Sequence, residues 1–291
     1  MAVSMEMIRD LRQKTGAGIM ECKEALKESD NDMESAAEYL RKKGATKAAK
    51  KADRSTKEGA VRTVVEGDIA AMVEVKCETD FVGRNEKFQE MVVKLAGHTA
   101  ASPETETEEA FLAQPYFEDN SKTINDIITA KISEIGENIV VGRRVKMVMQ
   151  GPGLLVSYIH GVGNIGVLLE ISAESGEIAE KPEVAELGRD LCMQIAAMNP
   201  IALNPEEIPQ QTVDKEKEIF AAQARDSGKP ENIIPKIVEG SLKKYFGESC
   251  LLMQAFVKEN KKTVESVIKE VAVKAGGNIV VKRFARYQLG E

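Results

Sequence analysis

The chain has 291 residues, of which 43% are hydrophobic, 30% charged and only 4% aromatic, with no tryptophan. That length allows roughly two domains of about 150 residues, with cores built from aliphatic side chains. Acidic residues number 47 against 40 basic ones, a net charge of −7 that argues against a general nucleic-acid binder, and the lack of an apolar run of spanning length argues against a membrane protein.

The four cysteines (Cys22, Cys77, Cys192 and Cys250) stand far apart, without the paired spacing of a zinc site or a redox motif. Free thiols in a reducing cytosol are expected. The start, Met1-Ala2-Val3-Ser4-Met5-Glu6, enters a charged amphipathic pattern at once and does not read as a signal peptide, so a cytoplasmic protein is expected.

Residues 4–43 read as three short helices. Ser4 is placed to cap the first, whose Met5, Ile8 and Leu11 share a face before Thr15-Gly16-Ala17-Gly18 breaks it. The second covers residues 19–28, with Ile19, Cys22 and Leu26 aligned. Asp30-Asn31-Asp32 supplies the next cap, and Met33, Ala36, Ala37 and Leu40 line a third helix predicted to end at Gly44. Over residues 41–57 the chain turns basic and alanine-rich. This reads as a solvated linker or exposed helix; nucleic-acid binding is the competing reading, and no aromatic interleaves to stack a base.

The pattern then becomes mixed. Residues 59–66 and 69–76 form a hairpin across Gly67-Asp68, with Ala71, Val73 and Val75 alternating in the second strand. Thr79-Asp80-Phe81 follows in a strand-to-helix loop. A helix over 86–99 keeps Phe88, Met91, Val92 and Leu95 at helical spacing. A polar loop, a helix over 123–134 and a strand over 139–149 close the unit. Strands and helices without regular alternation indicate an α+β fold with antiparallel sheets.

This unit occurs twice. Thr123, Ile127, Gly136, Asn138, Ile139 and Arg143 recur at a separation of 140 as Thr263, Val267, Gly276, Asn278, Ile279 and Arg283. Ile69, Glu74, Val75, Glu78 and Leu95 recur at a separation of 96 as Ile165, Glu170, Ile171, Glu174 and Leu191. The second copy therefore carries an insertion, residues 199–247, which reads as two helices (213–226 and 231–246) joined by Ser227-Gly228-Lys229-Pro230. Its Ile219, Phe220, Ile233, Ile234, Ile237, Val238 and Leu242 exceed what two helices shield from each other. The hairpin either projects and docks on something or packs back on its own core. The expected layout is a three-helix domain with its basic linker (1–55), a first core subdomain (56–149), a second (150–198 and 248–291) and the inserted hairpin (199–247).

The repeat also tests the loop. Thr79-Asp80-Phe81 falls on Ser175-Gly176-Glu177, so the second copy builds the same strand and helix without Asp-Phe. The fold does not demand that pair, and its presence in the first copy points to function. Gly161-Val162-Gly163-Asn164-Ile165-Gly166 matches the dinucleotide fingerprint G-x-G-x-x-G. A strand follows it where the fingerprint opens a helix, so a hairpin turn is expected and a nucleotide-dependent enzyme is disfavoured. His98, near a helix end, is expected to be exposed. His160, after Tyr158 at a strand end, suits contact as well as catalysis. Arg143 and Arg283, present in both copies, read as structural. No nucleophile with its base, phosphate loop or metal-spaced cluster is evident. This indicates a binding protein rather than an enzyme, with no cofactor or metal of its own.

Four stretches, Thr15-Gly16-Ala17-Gly18-Ile19-Met20-Glu21-Cys22-Lys23, Thr79-Asp80-Phe81-Val82, Gly136-Glu137-Asn138-Ile139 and Tyr158-Ile159-His160-Gly161, resemble bacterial translation elongation factor Ts, in order and over essentially the whole chain. The resemblance implies a guanine-nucleotide exchange factor for elongation factor Tu. It implies a three-helix, ubiquitin-associated-like N-terminal domain, two related α+β subdomains and a helical hairpin used in dimerisation. By the same resemblance Thr79, Asp80, Phe81 and Val82 dislocate the partner's Mg²⁺: Asp80 and Phe81 enter beside the ion, the diphosphate loses charge compensation, and GDP leaves. Partner contacts are implied at Arg12, Ile19, Met20 and Lys23, and at His160, Phe256 and Val257, with no membrane and no direct nucleic-acid partner. Departures are Ile19 where methionine is common, Gly83-Arg84 where some members have Ala-Lys, and an end at Glu291 where some carry a further helical module. The rival reading is an RNA-binding accessory protein using residues 41–57, which steep salt dependence without elongation factor Tu would support.

Overall fold

The structure, a computed structural model, describes residues 3–291. Ser4 accepts a hydrogen bond from Met7 N (3.2 Å) and so starts α1 (Met5–Thr15); α2 (Ile19–Glu28) and α3 (Met33–Ala49) follow, the last capped by Asp32. Ile8, Leu11, Cys22, Ala25, Leu26 and Ala36 form the small core of this bundle. Next come β1 (Glu58–Glu66), β2 (Ile69–Cys77), the one-turn α4 (Asp80–Gly83), α5 (Glu86–Ala101), α6 (Glu108–Leu112), β3 (Pro115–Tyr116), β4 (Asp119–Thr123), α7 (Ile124–Ile135) and β5 (Ile139–Val148). The second subdomain repeats this order with β6 (Gly153–His160), β7 (Ile165–Ala173), α8 (Gly176–Ala179) and α9 (Pro182–Met198). The inserted α10 (Gln210–Asp226) and α11 (Ile234–Ser249) intervene before β8 (Ala255–Phe256), β9 (Glu259–Thr263), α12 (Val264–Ala275) and β10 (Ile279–Gln288). The larger sheets run β1-β2-β5 and β10-β7-β6, antiparallel throughout, and the fold is α+β. The short α6 and the two-residue strands β3 and β8 leave too little periodicity to be read from sequence.

The third helix does not end at Gly44. Gly44 is buried where α3 lies against α7, beside Thr129 and Ser133, and the helix runs on through it to Ala49. Lys51, just beyond, donates to Gly136 O (2.6 Å). The basic run is thus part helix, part tether to the first subdomain.

β2 is buried on both faces, from Ala70 to Val75. Val73 and Val75 meet Phe88, Val92, Leu95 and Ile128 on the helix side, whereas Ala70 and Met72 meet Val61, Met147, Leu155 and Leu168 on the other. The alternation seen in the sequence marks only one of these faces, because the two sheets pack on each other with helices outside both. Val167, Leu169 and Ile171 cover the second sheet's outer face beneath α9 and α12. Two arginines cross the junction. Arg143 donates to the fully buried Glu74 (Nη2, 2.8 Å; Nε, 3.1 Å) and to Gln288 O on β10 (2.7 Å). Its counterpart Arg283 donates to Glu170 (2.6 Å) and to Val148 O on β5 (3.0 Å). Each neutralises a buried carboxylate in its own sheet and bonds the last strand of the other.

Within the hairpin, Val213, Ala224 and Ile234 are buried, and the base packs on Ala202, Ile208 and Cys250. Ile219 and Ile233 remain 38% and 39% exposed. Among the described residues no helix is long and apolar enough to cross a membrane.

His98 is buried, contrary to the sequence expectation, because α5 continues past it and the following segment folds over its ring. Its Nε2 lies 2.9 Å from Gln114 Oε1 and its Nδ1 3.2 Å from Ser102 Oγ, with Phe111 against the ring. In the second copy Gln194 takes this place and donates to Gln254 (3.0 Å). Burial, chiefly, holds the His98 pKa below its usual 6.5. The unfolded chain therefore binds a proton near pH 6.5 that the folded one refuses, so stability is lost as pH falls from 6.5 toward the lower folded value. His98→Gln, which copies the second subdomain, is expected to fold and to lose less stability than the parent as pH falls below 6.5, measured by urea unfolding. Parallel profiles for the two proteins would contradict a neutral, buried His98.

Candidate functional site

β2 ends at Cys77, and the chain reverses into α4 through Glu78 and Thr79. Thr79 Oγ1 caps the turn by accepting from Val82 N (3.4 Å). A Cβ on Gly83 would stand 3.0 Å from Gly59 O, so the turn rests directly on the start of β1. Gly59 has φ 149° and faces Val75 O with no room for a side chain. Val82 packs on the first core, and the buried Cys77 thiol donates to Thr79 O (3.2 Å). Burial above all pushes that thiol up to about 12, which makes it a poor nucleophile. Phe81, by contrast, is 83% exposed, and the half-exposed Asp80 side chain pairs with Arg84 (3.4 Å).

Glu137, which sequence reasoning quotes only as part of a motif, holds this turn from below. Its Oε2 accepts from Glu78 N (3.1 Å) and Thr79 N (3.0 Å), and its Oε1 from Thr79 Oγ1 (2.6 Å). Asn138 N in turn donates to Glu78 Oε1 (2.6 Å). The signal that could have found it is the repeat, which sets Glu137 against Gly277.

The glycine-rich stretch is the β6–β7 turn, with no helix opening in it. Val61 N donates to Gly163 O (2.8 Å), and Val162 O accepts from Arg62 (3.1 Å) and Gln89 (3.5 Å). Gln89 also donates to Gly83 O, so this turn of the second subdomain docks beside α4. His160, exposed at the end of β6, has its Nδ1 3.0 Å from Tyr158 Oη. In the bundle, Gly18 N bonds Glu21 (3.4 Å), and Lys47 holds Glu21 from α3, drawing its pKa below the ordinary value. That anchored first turn leaves Ile19 48% and Met20 74% exposed, with Arg12 and Lys23 also at the surface.

The remaining pair is split. Phe256 was expected at the surface but is 6% exposed in the second core, because the short strand β8 turns its ring inward. Val257, in the β8–β9 turn, is 45% exposed and donates its N–H to Gln194 Oε1 (2.8 Å). The sequence-derived residues thus occupy the α4 turn, the bundle, the end of β6 and the β8–β9 turn. The basic run is laced to carboxylates, with Lys43 on Glu24 (2.8 Å), Lys42 on Glu38 (2.8 Å) and Arg54 on Glu78 (3.4 Å). Among the described residues no group of His, Cys, Asp and Glu is placed to hold a metal ion. What the α4 turn offers chemically is an aromatic ring and a carboxylate on a fixed support.

Residues 78–291 match the family model described as Elongation factor TS. Relatives named elongation factor Ts include that of a Nitratiruptor species, 45% identical over 293 residues spanning 100% of this chain and 94% of the relative. That of Clostridium botulinum (strain Eklund 17B / Type B) is 45% identical over 291 residues, 99% and 93% of the two chains. That of Bdellovibrio bacteriovorus is 41% identical over 290 residues, 100% and 93%.

Because the chain contains no tryptophan, Phe81→Trp reports on this position alone. Its emission is expected to be that of a water-exposed indole, strongly quenched by iodide, with stability within about 0.5 kcal/mol of the parent. Blue-shifted, iodide-protected emission would mean that the side chain has turned inward.

Proposed function

The chain belongs to the elongation factor Ts family, and from that premise we propose that it is a guanine-nucleotide exchange factor for elongation factor Tu. The observation that carries this reading is Phe81, 83% exposed on a turn whose every neighbour is tied down. Elongation factor Tu holds GDP through a phosphate-binding loop and a Mg²⁺ ion. Asp80 and Phe81 enter beside that ion, and the ring pushes aside the segment that supports its water shell. Without the ion the diphosphate is poorly compensated, and GDP leaves. Burial of the ring contributes on the order of 1.5–3 kcal/mol toward that displacement.

The coupling runs both ways: if this protein weakens GDP binding, GDP weakens its binding by the same factor. No covalent bond is made or broken, and no cofactor enters the scheme. Arg12, Ile19, Met20 and Lys23 grip the partner from the bundle, and His160 and Val257 from the second subdomain, with Phe256 supporting Val257 from beneath. The exposed Ile219 and Ile233 give the helical hairpin an apolar surface for pairing with a second copy.

Release of labelled GDP from elongation factor Tu, with and without this protein, tests the reading. Phe81→Ala is expected to slow stimulated release about 10- to 150-fold while leaving the melting temperature unchanged. A release rate equal to that of the parent protein would take Phe81 out of the mechanism.

A further inference from the structure

We propose that Glu137 is a positioning residue for exchange: it fixes the angle at which Phe81 is presented, without touching the partner. This rests on the exchange reading above. The molecule contains its own comparison, because the second subdomain builds the same turn with nothing to present. Much is retained there: Ser175 caps α8 by accepting from Ile178 N (3.4 Å), as Thr79 caps α4, and Glu174 accepts from Asn278 N (3.0 Å), as Glu78 does from Asn138 N. Those features belong to the fold. The carboxylate clamp does not recur, since Gly277 stands at the position of Glu137 and a side chain there would overlap Ile178 Cδ1.

The two corners are therefore filled differently. In the second copy Ile178, at the position of Val82, reaches into the space beside Gly277. In the first, the shorter Val82 leaves the corner to Glu137, whose carboxylate gathers Glu78 N, Thr79 N and Thr79 Oγ1 at 2.6–3.1 Å. Apolar packing holds a turn in place but is non-directional, whereas three convergent charge-assisted bonds set its orientation. Directional hold is found in the copy that carries the exposed aromatic. Residues 78 and 79 immediately precede Asp80-Phe81, so a rotation of the turn swings the ring with it.

The test uses the full chain in three variants: Glu137→Ala, Glu137→Gln, and Glu137→Gly with Val82→Ile, which transplants the second copy's corner and guards against simple misfolding. Steady-state exchange is measured with elongation factor Tu·GDP as the varied substrate, and amide hydrogen exchange is followed over residues 78–83. Glu137→Ala and the transplant are expected to lower kcat about tenfold with KM within about twofold, because the rest of the interface is intact. Amide exchange over 78–83 is expected to accelerate while the global unfolding midpoint of the transplant holds. Glu137→Gln, which keeps one acceptor oxygen, recovers part of the loss. In a Phe81→Ala background Glu137→Ala adds nothing further. A folded transplant with parental kcat, or a Glu137 effect that multiplies with that of Phe81→Ala, overturns the proposal while leaving the exchange reading in place. An unchanged rate for Phe81→Ala alone takes Phe81 out of the mechanism, and this proposal with it, whereas failure of the parent protein to stimulate GDP release is the distinct outcome that removes the exchange reading.

Discussion

Val82 takes the inward seat of a one-turn helix that Gly83 presses against Gly59, and its neighbour Phe81 is left to water. Successive residues of a helix differ in direction by about 100°, and with Val82 and Gly83 turned toward the subdomain the Phe81 ring points away from it. A longer or looser connection could roll and hide the ring. This one cannot, because its first residue is capped, its last lies against backbone, and a carboxylate holds its entry. The exposed aromatic is therefore imposed by the local geometry, and the use made of it depends on that geometry holding under load.

The platform beneath is correspondingly stiff. Both faces of β2 are buried, one under helices and one against the second sheet, so the strand that delivers the turn has no free side on which to flex. The crossed arginines join the sheets through two buried carboxylates; loss of Arg283 would leave Glu170 without its ion partner, a strongly destabilising state, whereas Glu74 would keep Lys76 at 3.6 Å. The β6–β7 turn then reaches back to bond Val61 and, through Gln89, the end of α4. On the exchange reading proposed above, such a support would transmit the binding energy of remote contacts to the ring instead of losing it to rearrangement. Ile19 and Met20, exposed on a separately folded bundle, are suited to supply such remote contact.

Much of this was legible in the sequence because it is repeated there. The separations of 96 and 140 align strand with strand, cap with cap and arginine with arginine, and they mark Asp80-Phe81 as an addition to the fold. What escaped depends on contacts between elements distant in the chain. Gly44 reads as a helix stop until α7 is laid across it; His98 reads as exposed until residues 102–116 fold over it; Phe256 reads as surface until β8 turns it inward. Sheet-on-sheet packing hid behind a strand whose alternation looked one-sided. The clamp at Glu137 has no local pattern at all, being a carboxylate that serves backbone donors 58 and 59 residues earlier.

The central claim is that the ring leaves water and enters the partner. The most direct measurement is the structure of the nucleotide-free complex with elongation factor Tu, and within it the exposure of Phe81. The account predicts that a side chain 83% exposed in the free protein becomes buried between partner elements beside the vacated Mg²⁺ position. A complex in which that ring still faces solvent, or lies against its own subdomain, would contradict it.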